Sequence, residues 1–386
     1  MLEAPPLPNV DGIIAAIRQD GDSALARYAA RFGDDAPRRI TPEEIDAAVA
    51  RTPENVLAAL RAAAERIGAF ARAQRAALLD VELDVGWATI GHRVVPFERA
   101  GIYVPAGRFP LPSTLLMCAI PARVAGVERA FVCTPKANDV ILAAAHIAEV
   151  HEIVLAGGAQ AIAAMAYGTQ TVPRADIVVG PGNAYVAAAK RAIFGDCAID
   201  TIAGPSELLV IASGDADARL VAADLRAQAE HDDRARPMLL TDDARFASEV
   251  TAELSHQGGM RQTQWLQIVT LAEAVEVANR LAPEHLALHG SRAERLASQL
   301  RSYGTLFIGE HAAEVFGDYG SGPNHVLPTG GSARFSSGLS VYAFLAIRTF
   351  ERAKCAPDPL LIEQTATLAG AEGLDAHRDA ALARLR

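Results

Sequence analysis

From about residue 113 onward, short runs of apolar and β-branched residues alternate with alanine-rich stretches of helical period. The runs RAFVCTP, HEIVLAGG, ADIVVG and ELLVIAS are separated by DVILAAAHIAEV, AQAIAAMAYG and AYVAAAKRAIFG. A strand that is apolar along its whole length must be covered on both faces, and helices between the strands supply that cover. The alternation resumes after residue 206 with RPMLLTDD, LQIVTLA, HLALHG and GTLFIGE. It predicts an α/β chain of two Rossmann-like parallel-sheet modules with helical N- and C-terminal segments. The first module is expected to take residues 1–102 plus 207–339, the second 103–206, and a helical tail 340–386.

The first hundred residues are mostly helical in pattern. TPEEIDAAV carries Thr41, Pro42 and Glu44 as an N-cap, a first-turn proline and a capping box, and a second helix is expected to open in the same way at Thr52. With 386 residues, 51% of them hydrophobic, the chain can bury a large core. Its net charge of −10 argues against a nucleic-acid or anionic-membrane partner. Cys118, Cys133, Cys197 and Cys355 form no C-x-x-C and read as small core residues in a reducing compartment. The start, MLEAPPLPNV, has no apolar signal core, and no apolar run approaches ~18 residues. A soluble, cytoplasmic protein with no membrane partner is expected.

Candidate chemistry lies in four places. LAGGAQAI and VVGPGNAYV are glycine-rich turns from strand to helix, where backbone amides can approach a phosphate. Neither matches G-x-G-x-x-G, and tight packing of helix on strand explains the turns equally well. Glu284 and His285, in LAPEHLALHG, sit where a loop enters a strand, so both can reach one cleft as base and water activator. Such pairs are more often surface decoration. Asp224, Gln228 and His231 share one face of a helix, and His231, His325, His377 and Asp318 together offer mixed imidazole and oxygen donors of the kind that suit zinc, manganese or iron. Their spacing alone does not separate a metal site from a wet helix face. Finally, 311–340 is long, non-periodic and rich in Gly, Ser and Pro, as functional loops are.

Seven blocks stand in one order along the chain: GIYVPAGRFPLPSTLLM, GGAQAIAA, GPGNAYVAAAKR, AIDTIAGPSELLVIA, AADLRAQAEHD, APEHLAL and GDYGSGPNHVLPTGGSARFSSGLSV. Together they resemble the histidinol dehydrogenase family, over nearly the whole chain. The resemblance implies oxidation of L-histidinol to L-histidine through L-histidinaldehyde, with two NAD⁺ and one zinc per site. It implies Gln228, His231, Asp318 and His377 as zinc ligands and Glu284 and His285 as the catalytic pair. It assigns NAD contacts to Tyr103, Gln160 and Asn183. Substrate contacts would be Ser206, His325 and Glu372 together with Gln228, His231, His285, Asp318 and His377. It also implies an intertwined homodimer in which Glu372 and His377 come from the other subunit. His285, at an ordinary histidine value of about 6.5, would make activity rise through that pH.

The chain departs from the family pattern at Ala106, where glycine is usual, and at Thr201, where methionine is common. Phe316 and Gly320 stand where a smaller and a bulkier residue are usual, a change that would reshape the pocket beside Asp318. The leading helical segment is short. A paralogue oxidising another small polar alcohol on the same scaffold is the alternative, and Glu372 and His325 favour histidinol.

Overall fold

The computed structural model describes residues 6–106, 110–231, 233–258 and 265–385. The chain divides into two compact units, Met1–Arg75 with Phe97–Phe344, and Ala76–Pro96 with Leu345–Arg386.

The first unit holds two parallel five-stranded sheets. The three-stranded sheet of the second unit takes the chain-order labels β1 (Val81–Asp84), β2 (Ala88–Pro96) and β13 (Leu345–Ala353). One parallel sheet is built from β3 (Arg99–Tyr103), β4 (Arg129–Thr134), β5 (Glu152–Leu155), β6 (Ile177–Val179) and β7 (Ala198–Ile199), in the order β5-β4-β3-β6-β7. The other is built from β8 (Glu207–Ala212), β9 (Arg236–Thr241), β10 (Trp265–Ile268), β11 (His285–His289) and β12 (Thr305–Ile308), in the order β10-β9-β8-β11-β12. The two orders are the same winding repeated. Each sheet grows outward from its first strand, then returns to that strand's other side. The two-module α/β expectation therefore holds. The boundary expected at 102/103 falls inside β3, which belongs wholly to the first sheet.

The alternation of side chains between the two faces of each strand explains the layers. Leu208, Val210, Ala212 and Ala287 pack with Val221, Leu225, Phe246 and Val250, while Leu209, Ile211, Leu286 and Leu288 pack with Ala274, Val275 and Ala278. Strands β8 and β11 are buried at every residue, so both faces need helices. Cys118, Cys133 and Cys197 are buried, whereas Cys355 is exposed, so only three of the four behave as core residues.

Among the N-terminal helices, Thr41 and Glu44 form the expected capping box on Pro42–Arg51. Thr52 does not cap the next helix. Its hydroxyl donates to the Ala48 carbonyl at 2.8 Å and closes the preceding helix, and the next helix starts at Glu54. In the second unit, β1, β2 and β13 pair antiparallel, followed by the helices Pro359–Ala371 and Asp375–Leu382. The tail expected to be helical from 340 thus contains a nine-residue strand. Its register partner, β2, lies some two hundred and fifty residues earlier, beyond the reach of a local pattern. No helix among the described residues is long and apolar enough to cross a membrane.

One buried ion pair fixes the turn after β6. Lys190 and Asp200 side chains are 2% and 1% exposed, and Lys190 Nζ lies 2.5 Å from Asp200 Oδ1. Lys190 also donates to the Gly180 carbonyl, and Gly180 N donates to Asp200 Oδ2 at 2.7 Å. Gly180 has φ +111°, and a Cβ there would lie 2.1 Å from the Tyr103 carbonyl oxygen, so only glycine lets this turn approach β3. Removing one partner strands a buried charge. Lys190→Met should cost about 3–5 kcal/mol in denaturant unfolding. A loss below about 1 kcal/mol would show that the pair is not what holds the turn.

Candidate active site

The adjacent strands β8 and β11 place the expected catalytic pair at their N-terminal ends. Ala287 faces the helix Ala218–Glu230, so His285, two residues earlier, faces the same side. The His285 ring is buried. Its Nδ1 lies 3.2 Å from the Glu207 carbonyl oxygen, 3.6 Å from Glu314 Oε1 and 3.8 Å from Glu284 Oε2. The Glu207 carbonyl can only accept, so the ring's hydrogen bond to it is made by Nδ1–H, and Nε2 keeps its lone pair. That Nε2 lies 3.7 Å from Asp318 Oδ1.

Glu284 ends the loop before β11. Its Oε2 accepts from the Ser206 hydroxyl at 2.7 Å and from Glu207 N at 2.9 Å. Ser206, expected to face substrate, thus also holds the carboxylate. Burial pushes Glu284 up to about 8 against those two hydrogen bonds, and burial pushes His285 down to about 4. His285 is therefore already neutral at pH 6.5, where the sequence alone places its titration. Glu207, also buried, is raised by burial despite Arg236 at 3.1 Å.

A second cluster adjoins this pair. His231 Nε2 lies 3.3 Å from Asp318 Oδ2, and one donor atom each of His231, Glu314 and Asp318 lies within 4.8 Å of the others. The short helix Glu314–Tyr319 puts Glu314 and Asp318 one turn apart, on the same face. Burial pushes Glu314 well above the usual carboxylate range, and the charges of Asp318, Glu284 and Asp224 add to it. Burial would also raise Asp318, but the His231 hydrogen bond and the histidines around it hold it below the usual value. Gln228 is fully buried, and neither atom of its amide has a hydrogen-bond partner among the described residues. A buried amide left bare beside imidazole and carboxylate donors is a donor set that fits a divalent cation.

His325 is held on both sides. Its Nδ1 lies 2.8 Å from the Asp318 carbonyl and its Nε2 3.1 Å from Thr114 Oγ1. Asp224, which the sequence leaves without a role, faces the buried His289 at 3.4 Å. Glu372 and His377 lie in the second unit, Glu372 closing Pro359–Ala371 and His377 within Asp375–Leu382, and both side chains are exposed. The first unit thus gathers Ser206, Gln228, His231, Glu284, His285, Asp318 and His325.

Tyr103, Gln160 and Asn183 stand at the C-terminal side of the other sheet, flanking β3, β5 and β6. The Tyr103 hydroxyl accepts from Gly158 N at 3.1 Å, and Asn183 caps the helix Ala184–Ile193 by accepting from Tyr185 N and Val186 N. β3 and β6 are the strands at which the winding reverses, the place where open α/β sheets bind ligands. The surface hollow lined by Asp215, Gly290, Ser291 and Glu310 opens at the C-terminal ends of β8 and β11, opposite Glu284 and His285.

The departures beside Asp318 have local explanations. Gly320 closes its helix at φ +109°, and a Cβ there would lie 2.7 Å from Ala63 Cβ. Phe316 is exposed, at 58%. Ala106 and Thr201 are buried. Sequence patterns missed Glu314, Glu207, Lys190 and Asp200. Only Glu314 carried a signal, its four-residue spacing from Asp318.

The sequence profile of the family described as Histidinol dehydrogenase matches residues 5–385. The chain is 44% identical to Histidinol dehydrogenase of Gluconobacter oxydans, over 95% of this chain and 90% of that protein. It is 45% identical to Histidinol dehydrogenase of Agrobacterium fabrum, over 97% and 91%. The crystal structure of histidinol dehydrogenase from Elizabethkingia anophelis superposes with a TM-score of 0.92 at 33% identity, covering 99% of this chain and 94% of that one. An acetylating aldehyde dehydrogenase from Geobacillus thermoglucosidasius, with a TM-score of 0.52 at 15% identity over 91% and 99%, shares the fold alone.

The raised Glu284 has a measurable consequence. Its folded value, about 8, lies above the ordinary 4.5, so its contribution to stability is complete below about 4.5 and declines as pH rises through 8. In metal-free protein, Glu284→Gln should lessen the fall in melting temperature between pH 5 and pH 8.5, a range spanning the usual and shifted values. Parallel wild-type and variant curves would contradict this.

Proposed function

The chain belongs to the histidinol dehydrogenase family and is an oxidoreductase, and we propose that it oxidises L-histidinol to L-histidine through L-histidinaldehyde. The overall change consumes one water and two NAD⁺ and yields two NADH and three protons. The observation that carries this reading is the buried Glu284–His285 pair at the head of β11, beside a donor set that fits a divalent ion.

Zinc would be held by Gln228, His231 and Asp318 with His377. When bound it supplies a Lewis-acidic anchor for the nitrogens of the substrate, a positioning role. Tyr103, Gln160 and Asn183 would contact NAD⁺, the co-substrate that accepts hydride in each round. His285 accepts the alcohol proton at Nε2, its ring fixed by Nδ1–H donation to Glu207 O. Glu284 takes a proton from the water that adds to the aldehyde, and its burial gives it the basicity for that task. Ser206 and the Glu207 amide hold its carboxylate in place. His325, fixed by Thr114 and Asp318, would meet the substrate's imidazole with Glu372.

The same proposal includes a homodimer that shares its sites, with Glu372 and His377 reaching the other subunit. The second unit exposes Leu83, Leu360 and Leu368 at 56%, 60% and 67%, apolar surface of the kind a partner covers. A cytoplasmic setting suits the unpaired cysteines and a biosynthetic role.

Two NADH should form per L-histidinol, with loss on chelation and recovery on adding zinc. NADH from another polar alcohol but none from L-histidinol would move the assignment to a paralogous substrate. His285→Asn should lose turnover by a factor of about 10²–10⁴ while keeping its zinc. His377→Ala should lose zinc affinity. Mixed and refolded together, the two inactive variants should regain activity, because one site of each heterodimer is then intact. Failure to regain it would oppose the shared site.

A further inference from the structure

We infer that Asp34 selects NAD⁺ over NADP⁺, its carboxylate accepting from the adenosine ribose hydroxyls and repelling a 2′-phosphate. The inference rests on the proposed NAD⁺ site at Tyr103, Gln160 and Asn183.

In dinucleotide-binding sheets of this winding, an acidic residue past the second strand hydrogen-bonds the adenosine ribose. Here the second strand is β4, and it runs out into Thr134, Pro135 and Lys136, with no acid. The next acidic side chain, Asp139, is taken by Arg51 at 2.7 Å. The chain brings a carboxylate from elsewhere. Gly33 closes the helix Asp22–Phe32 at φ +74°, and Asp34 N donates to the Ala29 carbonyl at 2.9 Å. The chain then follows the edge of β5, where Leu155 N donates to Arg38 O and Ile40 N to Ile153 O, each at 2.9 Å. Arg39 bridges Val154 in the antiparallel sense. The residues before Arg38 therefore lie beyond Leu155, over the C-terminal end of the sheet.

That path delivers Asp34 to the glycine turn after β5. A Cβ on Gly157 would lie 2.8 Å from Asp34 Oδ2 and 2.8 Å from Pro135 Cβ, so the carboxylate touches bare backbone there. Gln160 Nε2 donates to the same oxygen at 3.5 Å, and one residue beyond Gly157 the Tyr103 hydroxyl accepts from Gly158 N at 3.1 Å. Asp34, Gln160 and Tyr103 thus converge on one turn. A carboxylate has about four acceptor sites, so one long hydrogen bond leaves room for two hydroxyls. Burial raises the Asp34 carboxyl, and the charge of Lys136 opposes that rise. A ribose diol can donate to this group. A 2′-phosphate is itself an acceptor of negative charge, and would meet the carboxylate with repulsion. One side chain therefore attracts one dinucleotide and turns the other away.

Binding of NADH and NADPH to the full chain, followed by nicotinamide fluorescence, tests this without turnover. The wild type should bind NADH more tightly than NADPH. Asp34→Asn keeps the shape and removes the charge. Its affinity for NADH should fall about 10–100-fold, and its affinity for NADPH should rise because Lys136 is then unopposed. With L-histidinol, kcat/KM should move in the same two directions for NAD⁺ and NADP⁺. Movement in opposite directions separates selection from damage, which lowers both together. Should Asp34→Asn not fold, Asp34→Ser carries the same expectation. A variant that binds both dinucleotides as the wild type does, or loses both in proportion, would overturn the inference. So would a wild type that binds NADPH as tightly as NADH. Wild-type protein that binds neither would overturn the NAD⁺ site itself and Asp34 with it, a result distinct from an unchanged variant.

Discussion

The candidate site depends on the parallel pairing of β8 with β11. That pairing sets His285 opposite Leu208 and lets one carboxylate, Glu284, accept from Ser206 and Glu207 at the head of the neighbouring strand. The two strands are buried along their whole length, so a one-residue slip would turn His285 away from the helix Ala218–Glu230 and into the opposite apolar layer. Hydrophobic register therefore aims the imidazole. The polar groups around it fix only its last degrees of freedom.

The two sheets share one winding order and are used at opposite ends. In the sheet containing β3, Tyr103 and the turn before Asn183 lie where the winding reverses at the C-terminal ends, as the general rule for open α/β sheets expects. In the sheet containing β8, the acidic and imidazole groups gather at the N-terminal ends instead. The reason is connectivity. The segment after β12 turns back as Glu314–Tyr319 and the loop holding His325, and so brings Asp318 to the entry of β8 and β11. A fold-level rule applied to both sheets would choose the hollow at the other end of the second, away from Glu284 and His285.

Burial then sets the chemistry. It makes His285 neutral and Glu284 reluctant to ionise, and it leaves Gln228 and Glu314 with polar atoms that no neighbour among the described residues satisfies. A fold built for stability alone would not keep so many unmatched groups in one place. The cost is local, and the apolar layers on both faces of the strands offset it.

The alternation of apolar strands with alanine-rich helices was legible because each strand's burial on both faces is written into its own residues. So was the capping box at Thr41, which is closed within four residues. Thr52 misled because its hydroxyl can serve either adjoining helix, and β13 because its pairing partner is far away in sequence. The pair Glu284–His285 and the donors on Ala218–Glu230 could be named from motifs, but spacing could not say that they meet. The sequence by itself determined which segments are strands, which faces are apolar and which residues carry usable chemistry, since these follow from local composition and period. Only the tertiary structure decided that Glu314 lies beside His285, that Lys190 is locked to Asp200, and that His285 is neutral. Those properties arise from contacts between distant segments and from exclusion of water, neither of which has a local signature.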